Sequence, residues 1–324
     1  MGIALFDAHC DTISLVQSKG GSIRENAYHT DLKRGLRFSP YAQIFAVFTR
    51  PLGTDISNGN YDADLPIEEL SELGEGLLEL LLSEFETNKD MLILCRDIDD
   101  AREAALKGKA AAFIAVEGSE LLGCNPDRLE HFYKKGVRSI NLCWNYDNAV
   151  CGAANGLVGA GLTQVGREYV LKMQELGIAV DLSHASEQTF WDTAEIAKRP
   201  LIAGHSNSKT LCDNPRNLTD AQFSELVRQG GIAGLNLCPD FLNDGGKAGI
   251  EDVLNHAEHF LALGGEKALC LGGDLDGIEN LPEGMTGIES YDMIYEAMLQ
   301  KNWNEDLVRD IFYYNLFEFL ERVL

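Results

Sequence analysis

The stretch Ile3-Ala4-Leu5-Phe6-Asp7-Ala8-His9-Cys10-Asp11 decides how the rest of the chain is read. A short apolar run leads into an imidazole and a carboxylate two positions apart, and residues two apart on a strand point the same way. One strand tip therefore aims His9 and Asp11 at one point and turns Cys10 to the opposite side. Three more ligand-type residues stand just beyond short apolar runs: Glu117 after Ala112 to Val116, His184 after Ile178 to Leu182, and His205 after Leu201 to Gly204. That recurrence predicts a metal site built from several strand ends.

Outward from these runs, short apolar segments alternate with longer segments of helical period. The strands are expected near 3–8, 42–48, 111–116, 137–143, 178–183, 200–204, 231–237 and 268–273. Helices are expected near 65–88, 97–107, 126–135, 162–176, 187–198, 219–229, 249–263 and 286–300. Strand then helix, eight times over, is the signature of an α/β fold of the (β/α)8 TIM-barrel type. Thr219 with Gln222 forms a capping box at one helix start, and Gly136, Gly177 and Gly230 or Gly231 follow the ends of three others. The amphipathic segment 304–323 reads as an additional C-terminal helix packed on the barrel. Two insertions, 12–41 and 144–161, follow strand C-termini, the face on which barrel enzymes keep their active sites, and read as lids or binding loops.

The 324 residues, with no break in composition, read as one domain over 1–324. With 27 basic against 51 acidic residues the net charge is −24, which repels nucleic acid and anionic lipid, so neither is expected as a partner. Eight scattered cysteines without a CxxC pair read as reduced thiols. An N-terminus that enters a core strand at once leaves no room for an export signal, and no run reaches 18 apolar residues; the expected location is the cytoplasm.

A hydrolytic metal site needs His and carboxylate donors, an open position for water and a group to move protons. Of the seven histidines, His29 lies in an insertion and His131, His256 and His259 on polar helices, where they read as surface or packing residues. His9, Asp11, Glu117, His184 and His205 would put five donors around one barrel axis. That exceeds the three protein ligands of a one-zinc catalytic site and points to two metals bridged by Glu117. Asp274, in Gly272-Gly273-Asp274-Leu275-Asp276-Gly277, is preferred over Asp276 for proton transfer because it sits nearer the barrel rim; Asp276 is left open as a partner in that role. Asp181 reads as structural. Arg216, on the loop after the sixth run, is the best-placed cation for gripping a carboxylate, although its position alone reads equally well as a plain surface arginine.

With these residues in place, the chain resembles the membrane (renal) dipeptidase family, peptidase family M19 of the amidohydrolase superfamily, as a soluble member of bacterial type. The resemblance runs nearly the whole length and rests on Asp7-Ala8-His9-Cys10-Asp11, Glu117-Gly118, Gly161-Leu162-Thr163, Asp181-Leu182-Ser183-His184, Gly204-His205-Ser206, Arg216-Asn217 and Gly273-Asp274-Leu275-Asp276-Gly277. It implies two zinc ions on His9, Asp11, Glu117, His184 and His205, Asp274 as proton shuttle, and Arg216 on the C-terminal carboxylate of a dipeptide. Trp144 and Asn217 join Arg216 as expected substrate contacts. The implied activity is hydrolysis of free L-Xaa-L-Xaa and L-Xaa-D-Xaa dipeptides by a hydroxide shared between the two ions, with a homodimer the assembly that the resemblance leaves open. The chain departs from the family where Trp144 replaces a histidine, Cys238 a tyrosine, and Tyr313-Tyr314-Asn315 a glycine-asparagine turn. An amidohydrolase acting on an N-acyl amino acid, lactam or lactone is the nearest alternative, and a non-catalytic metal or peptide binder the alternative of another class.

Overall fold

The computed structural model describes residues 2–48 and 66–324. Nine parallel strands are present among them: β1 (Leu5–Cys10), β2 (Tyr41–Val47), β3 (Leu92–Leu94), β4 (Ala110–Glu117), β5 (Val137–Asn141), β6 (Ala179–Asp181), β7 (Ile202–Ala203), β8 (Ile232–Leu235) and β9 (Leu269–Leu271). Eight of them close a ring. β1 joins β9 at Asp7 and Leu271, and β2 joins β4 from Ala42 and Ala111 up to Val47 and Val116. Helices flank the ring between successive strands, which makes this the expected (β/α)8 barrel.

β3 is the strand that periodicity missed. Leu92 to Leu94 pair with Ala110 to Ala112 below the level at which β5 begins its own pairing, at Ile114 and Val137. It fills the gap that a late-starting β5 leaves on the lower edge of β4, so no pattern within residues 91–95 distinguishes it from a connection. The helix read over 65–88 is Ile67–Thr87, residue 65 lying outside the described residues.

Local chemistry accounts for the helix boundaries. Thr163, Ser186 and Thr219 each accept a hydrogen bond from the backbone N–H three residues on, and Gln222 completes the capping box with Thr219. Gly177 ends its helix at φ 79°, a conformation that costs a residue with a Cβ. The C-terminal segment departs from one regular helix: Glu305–Arg309 passes through a wider π-turn at Asp310–Tyr314 before Asn315–Val323. Asn315 donates from Nδ2 to the carbonyls of Glu266 and Leu269, which ties this turn to the lower end of β9. Leu316, Phe319, Leu320 and Val323 then close the bottom of the barrel against Phe6, Phe113, Ile202 and Ile232.

One irregularity positions the site. From Asp7 to Cys10, β1 advances three residues while β2 advances two, from Gln43 to Phe45, which is a β-bulge. Phe6 and Ala8 face the barrel interior with Ile44, whereas Leu5, Cys10 and Phe45 belong to the surrounding core. Strict alternation from Leu5 would send His9 outward. The extra residue turns it inward and leaves Cys10 outside, as expected.

Where β7, β8 and β9 lie closest, a Cβ on Gly234 or on Gly272 would overlap the carbonyl oxygen of Gly204. Gly76, exposed in the middle of Ile67–Thr87, has nothing within 4 Å of such an atom. Gly272→Ala is therefore expected to destabilise by about 1–3 kcal/mol through overpacking. Gly76→Ala should stabilise by about 0.5–1 kcal/mol by favouring the helix. Denaturant midpoints of the two variants check both signs.

Candidate metal centre

Every expected ligand reaches the C-terminal mouth of the barrel. His9 and Asp11 come from the tip of β1 and Glu117 is the last residue of β4; His184 and His205 lie in the turns after β6 and β7. All five are buried. Glu117 stands at the centre: its Oε1 is 2.6 Å from Nε2 of His184 and 3.5 Å from Nε2 of His205, and its Oε2 is 3.8 Å from Nε2 of His9. His9 Nε2 is 3.2 Å from Asp11 Oδ2, and the Nε2 atoms of His184 and His205 are 3.0 Å apart. His9 belongs to two groups whose ligand atoms all lie within 4.8 Å of one another, one with Glu117 and His205, the other with Asp11 and Asp274.

The electrostatics favour a bound cation. Burial raises Glu117 well above the usual carboxylate range, and the neighbouring Asp11 adds to that rise. Burial likewise pushes His184 and His205 well below the ordinary histidine value, so their nitrogens keep lone pairs to offer. Burial opposes a charge on His9, but Asp11 and Glu117 overcome it and hold the ring up at about 10. Asp11 Oδ1 and His205 Nδ1 are buried without a hydrogen-bond partner. Imidazole and carboxylate donors converging with unsatisfied atoms fit a divalent cation of intermediate softness.

Asp274 follows β9 with φ 57° and lines the cleft, where Nδ2 of Asn236 donates to its Oδ2 at 3.0 Å. Burial raises its pKa, with Asp11 adding to the rise. Asp276 faces away from the cleft: Thr12 Oγ1 donates to it at 2.6 Å and the backbone N–H of His29 at 2.6 Å. It ties down the insertion after β1. That insertion is accordingly packed rather than lid-like, with Ile13, Ile23 and Leu32 buried and none of residues 12–41 lining the cleft.

The cleft above the ligands has a volume of about 730 Å³. Arg216 is buried in its wall, donates from Nη2 to His184 Nε2 at 2.9 Å, and lies over the Phe241 ring at 5.4 Å. Trp144 lines the cleft beside Phe48, their ring centroids 4.8 Å apart. Asn217 sits elsewhere: its Nδ2 donates to the carbonyls of Cys212 and Phe241 and its Oδ1 accepts from the N–H of Asn207. These bonds use its amide to fold the 207–217 loop, so the substrate contact expected of Asn217 does not follow from its placement. Asp181 holds Ser183 and Gly204, as its structural reading expects. His256 is a packing residue, accepting from the N–H of Ser208.

The family model for membrane dipeptidase (peptidase family M19) matches residues 2–323. The chain belongs to this family. It is a hydrolase of the metallo-dipeptidase class and uses divalent metal. An uncharacterized dipeptidase of Schizosaccharomyces pombe is 30% identical over 295 residues, which are 87% of this chain and 69% of that one. A metallopeptidase from Rhodobacter sphaeroides, solved with a phosphinate mimic of the dipeptide L-Ala-D-Ala, is 26% identical with a TM-score of 0.89 over the whole of both chains. A dipeptidase of family M19 is 27% identical with a TM-score of 0.86, covering 100% of this chain and 99% of that one. No helix among the described residues is long and apolar enough to cross a membrane.

Sequence reasoning missed the residues that hold the site rather than form it. Asn236 and Phe241 carry no ligand-type signal, and Phe48 reads as the end of an apolar run. Glu120, just beyond Glu117, accepts from Asn148 Nδ2 at 2.8 Å and fastens the 144–161 insertion. Burial raises its pKa to about 7 from an ordinary 4.5. Below pH 4.5 it is protonated in both folded and unfolded chains; between 4.5 and 7 the unfolded chain ionises first, so folding stability falls as pH rises. That loss is on the order of 3 kcal/mol. Glu120→Gln is expected to escape it, so the difference in melting temperature between variant and parent should grow from pH 5 to pH 8.

Proposed function

We propose that the protein, as one metallo-hydrolase domain over 1–324, hydrolyses free L-Xaa-L-Xaa and L-Xaa-D-Xaa dipeptides with two zinc ions held by His9, Asp11, Glu117, His184 and His205. The observation that carries the reading is the two-sided position of Glu117. One of its oxygens faces His184 and His205 and the other faces His9. A carboxylate so placed suits a bridge between two ions, with Asp11 completing the His9 side. The complex of the Rhodobacter relative with a dipeptide mimic supports the substrate class.

When bound, the ions supply a nucleophilic hydroxide at neutral pH and polarise the scissile carbonyl. The chain's own groups do the rest. Arg216 presents a planar guanidinium, backed by Phe241, to the substrate's α-carboxylate and fixes that end. Asp274 accepts the proton of the attacking water and returns it to the leaving amine; burial and the nearby Asp11 raise its proton affinity toward what a shuttle needs. Asn236 holds one oxygen of that carboxylate in place. Trp144 closes the cleft wall and offers a single N–H donor that does not titrate near neutral pH.

Asp274→Asn is expected to lower kcat by about 10²–10⁴-fold while both ions stay bound. Arg216→Met should lower kcat/KM by about 10–100-fold on free dipeptides, the loss of a charge-assisted grip. The deciding experiment is amine release from L,L and L,D dipeptides, N- and C-blocked dipeptides and tripeptides, with zinc-loaded and chelated protein. Zinc-dependent cleavage of free dipeptides alone supports the reading. Turnover confined to N-acyl amino acids, lactams or lactones would replace it, and binding without turnover of any substrate would make the protein a metal or peptide binder.

A further inference from the structure

We infer that Asn145 is a positioning residue that fixes the tautomer and orientation of His184 and so couples the substrate loop to one half of the metal centre; this rests on the two-ion reading above. Asn145 Oδ1 lies 2.9 Å from Nδ1 of His184. A neutral imidazole carries one N–H, and an amide oxygen can only accept, so the contact places the proton on Nδ1 and leaves the lone pair on Nε2. A second contact reports the same state from the other side of the ring. The guanidinium of Arg216 donates to Nε2 at 2.9 Å, which requires a lone pair there. Nε2 is also the atom that faces Glu117 at 2.6 Å and His205 at 3.0 Å.

The grip on His184 extends to its backbone. Its carbonyl accepts from the N–H of Ala154 at 2.8 Å and from Cys143 Sγ at 3.6 Å, both on the chain that carries Asn145. Asp147 stiffens that chain by accepting the N–H groups of Ala153 at 2.8 Å and Leu157 at 2.9 Å. Trp144, next to Asn145, lines the cleft. One loop therefore shapes the substrate pocket and holds a metal ligand. His205 is held by its backbone, its N–H donating to Ser183 Oγ at 3.1 Å and its carbonyl accepting from Asn236 Nδ2 at 3.3 Å, but its ring has no such support, Nδ1 being buried without a partner. The two histidines that face Glu117 Oε1 thus differ in how firmly they are oriented.

The test uses the full chain, stripped of metal and titrated with zinc alone against a chromogenic chelator, for the parent, Asn145→Leu and Asn145→Asp. Asn145→Leu removes the acceptor at nearly constant volume and is expected to weaken one of two zinc sites about 10–100-fold, with a parallel fall in kcat/KM. Asn145→Asp keeps the acceptor and should restore affinity to within a few-fold of the parent. Melting temperatures of the metal-free proteins should agree, since the effect acts through the ligand and not through the loop fold. Equal zinc affinity in parent and Asn145→Leu overturns the inference, as does an Asn145→Asp variant as weak as Asn145→Leu. A parent that binds fewer than two zinc ions overturns the two-ion reading and this inference together, which separates that failure from the others.

Discussion

The rest of the structure depends on one buried carboxylate. Glu117 ends β4 at the barrel mouth, within 3.8 Å of three imidazole nitrogens and close to two more acids, all withdrawn from water. Such a group is costly to ionise alone, since desolvation in a low-dielectric site penalises charge. The cost falls when a cation shares the space, and the fold holds the donors together before one arrives. Eight strands converging on one axis provide that convergence at little conformational cost, because these side chains sit at or just beyond strand ends whose backbones are already paired.

Around this centre the two insertions divide the work in a way their length does not reveal. The segment after β1 is anchored through Asp276, Thr12 and His29 and braces the tip that carries Asp11. The segment after β5 is fastened by Asn148 to Glu120 and to the carbonyl of Leu142, and it delivers Trp144 and Asn145 to the cleft. Both are loops on the active face, but one is scaffold and the other is pocket. The difference lies in which side chains find partners across the barrel, a matter of contacts hundreds of residues apart in sequence, as with Thr12 and Asp276.

Most of the barrel was legible because its signals are local. Apolar runs of strand length, the capping box of Thr219 with Gln222, and Gly177 just past a helix end each act within a few residues. What was not legible is cooperative. β3 is a strand only because β4 offers it an unpaired edge below β5. The π-turn at Asp310–Tyr314 appears where Asn315 reaches the carbonyls of Glu266 and Leu269. Asn217 and Asn145 carry the same side chain, and only their surroundings assign one to loop folding and the other to the ring of His184.

The sequence by itself determined the barrel and the places at strand ends of the five residues proposed as metal donors, because residue type and strand period are properties of short stretches. Their assembly into a centre was decided by tertiary structure. The parity of His9 and Asp11 places them on one face, yet which face meets Glu117 depends on the bulge between Asp7 and Cys10, which exists only in register against β2. The same holds for Asp274 over Asp276. The two aspartates are two residues apart in one motif, and the strand ends before either. Asn236 draws the first toward the cleft while Thr12 and His29 draw the second away.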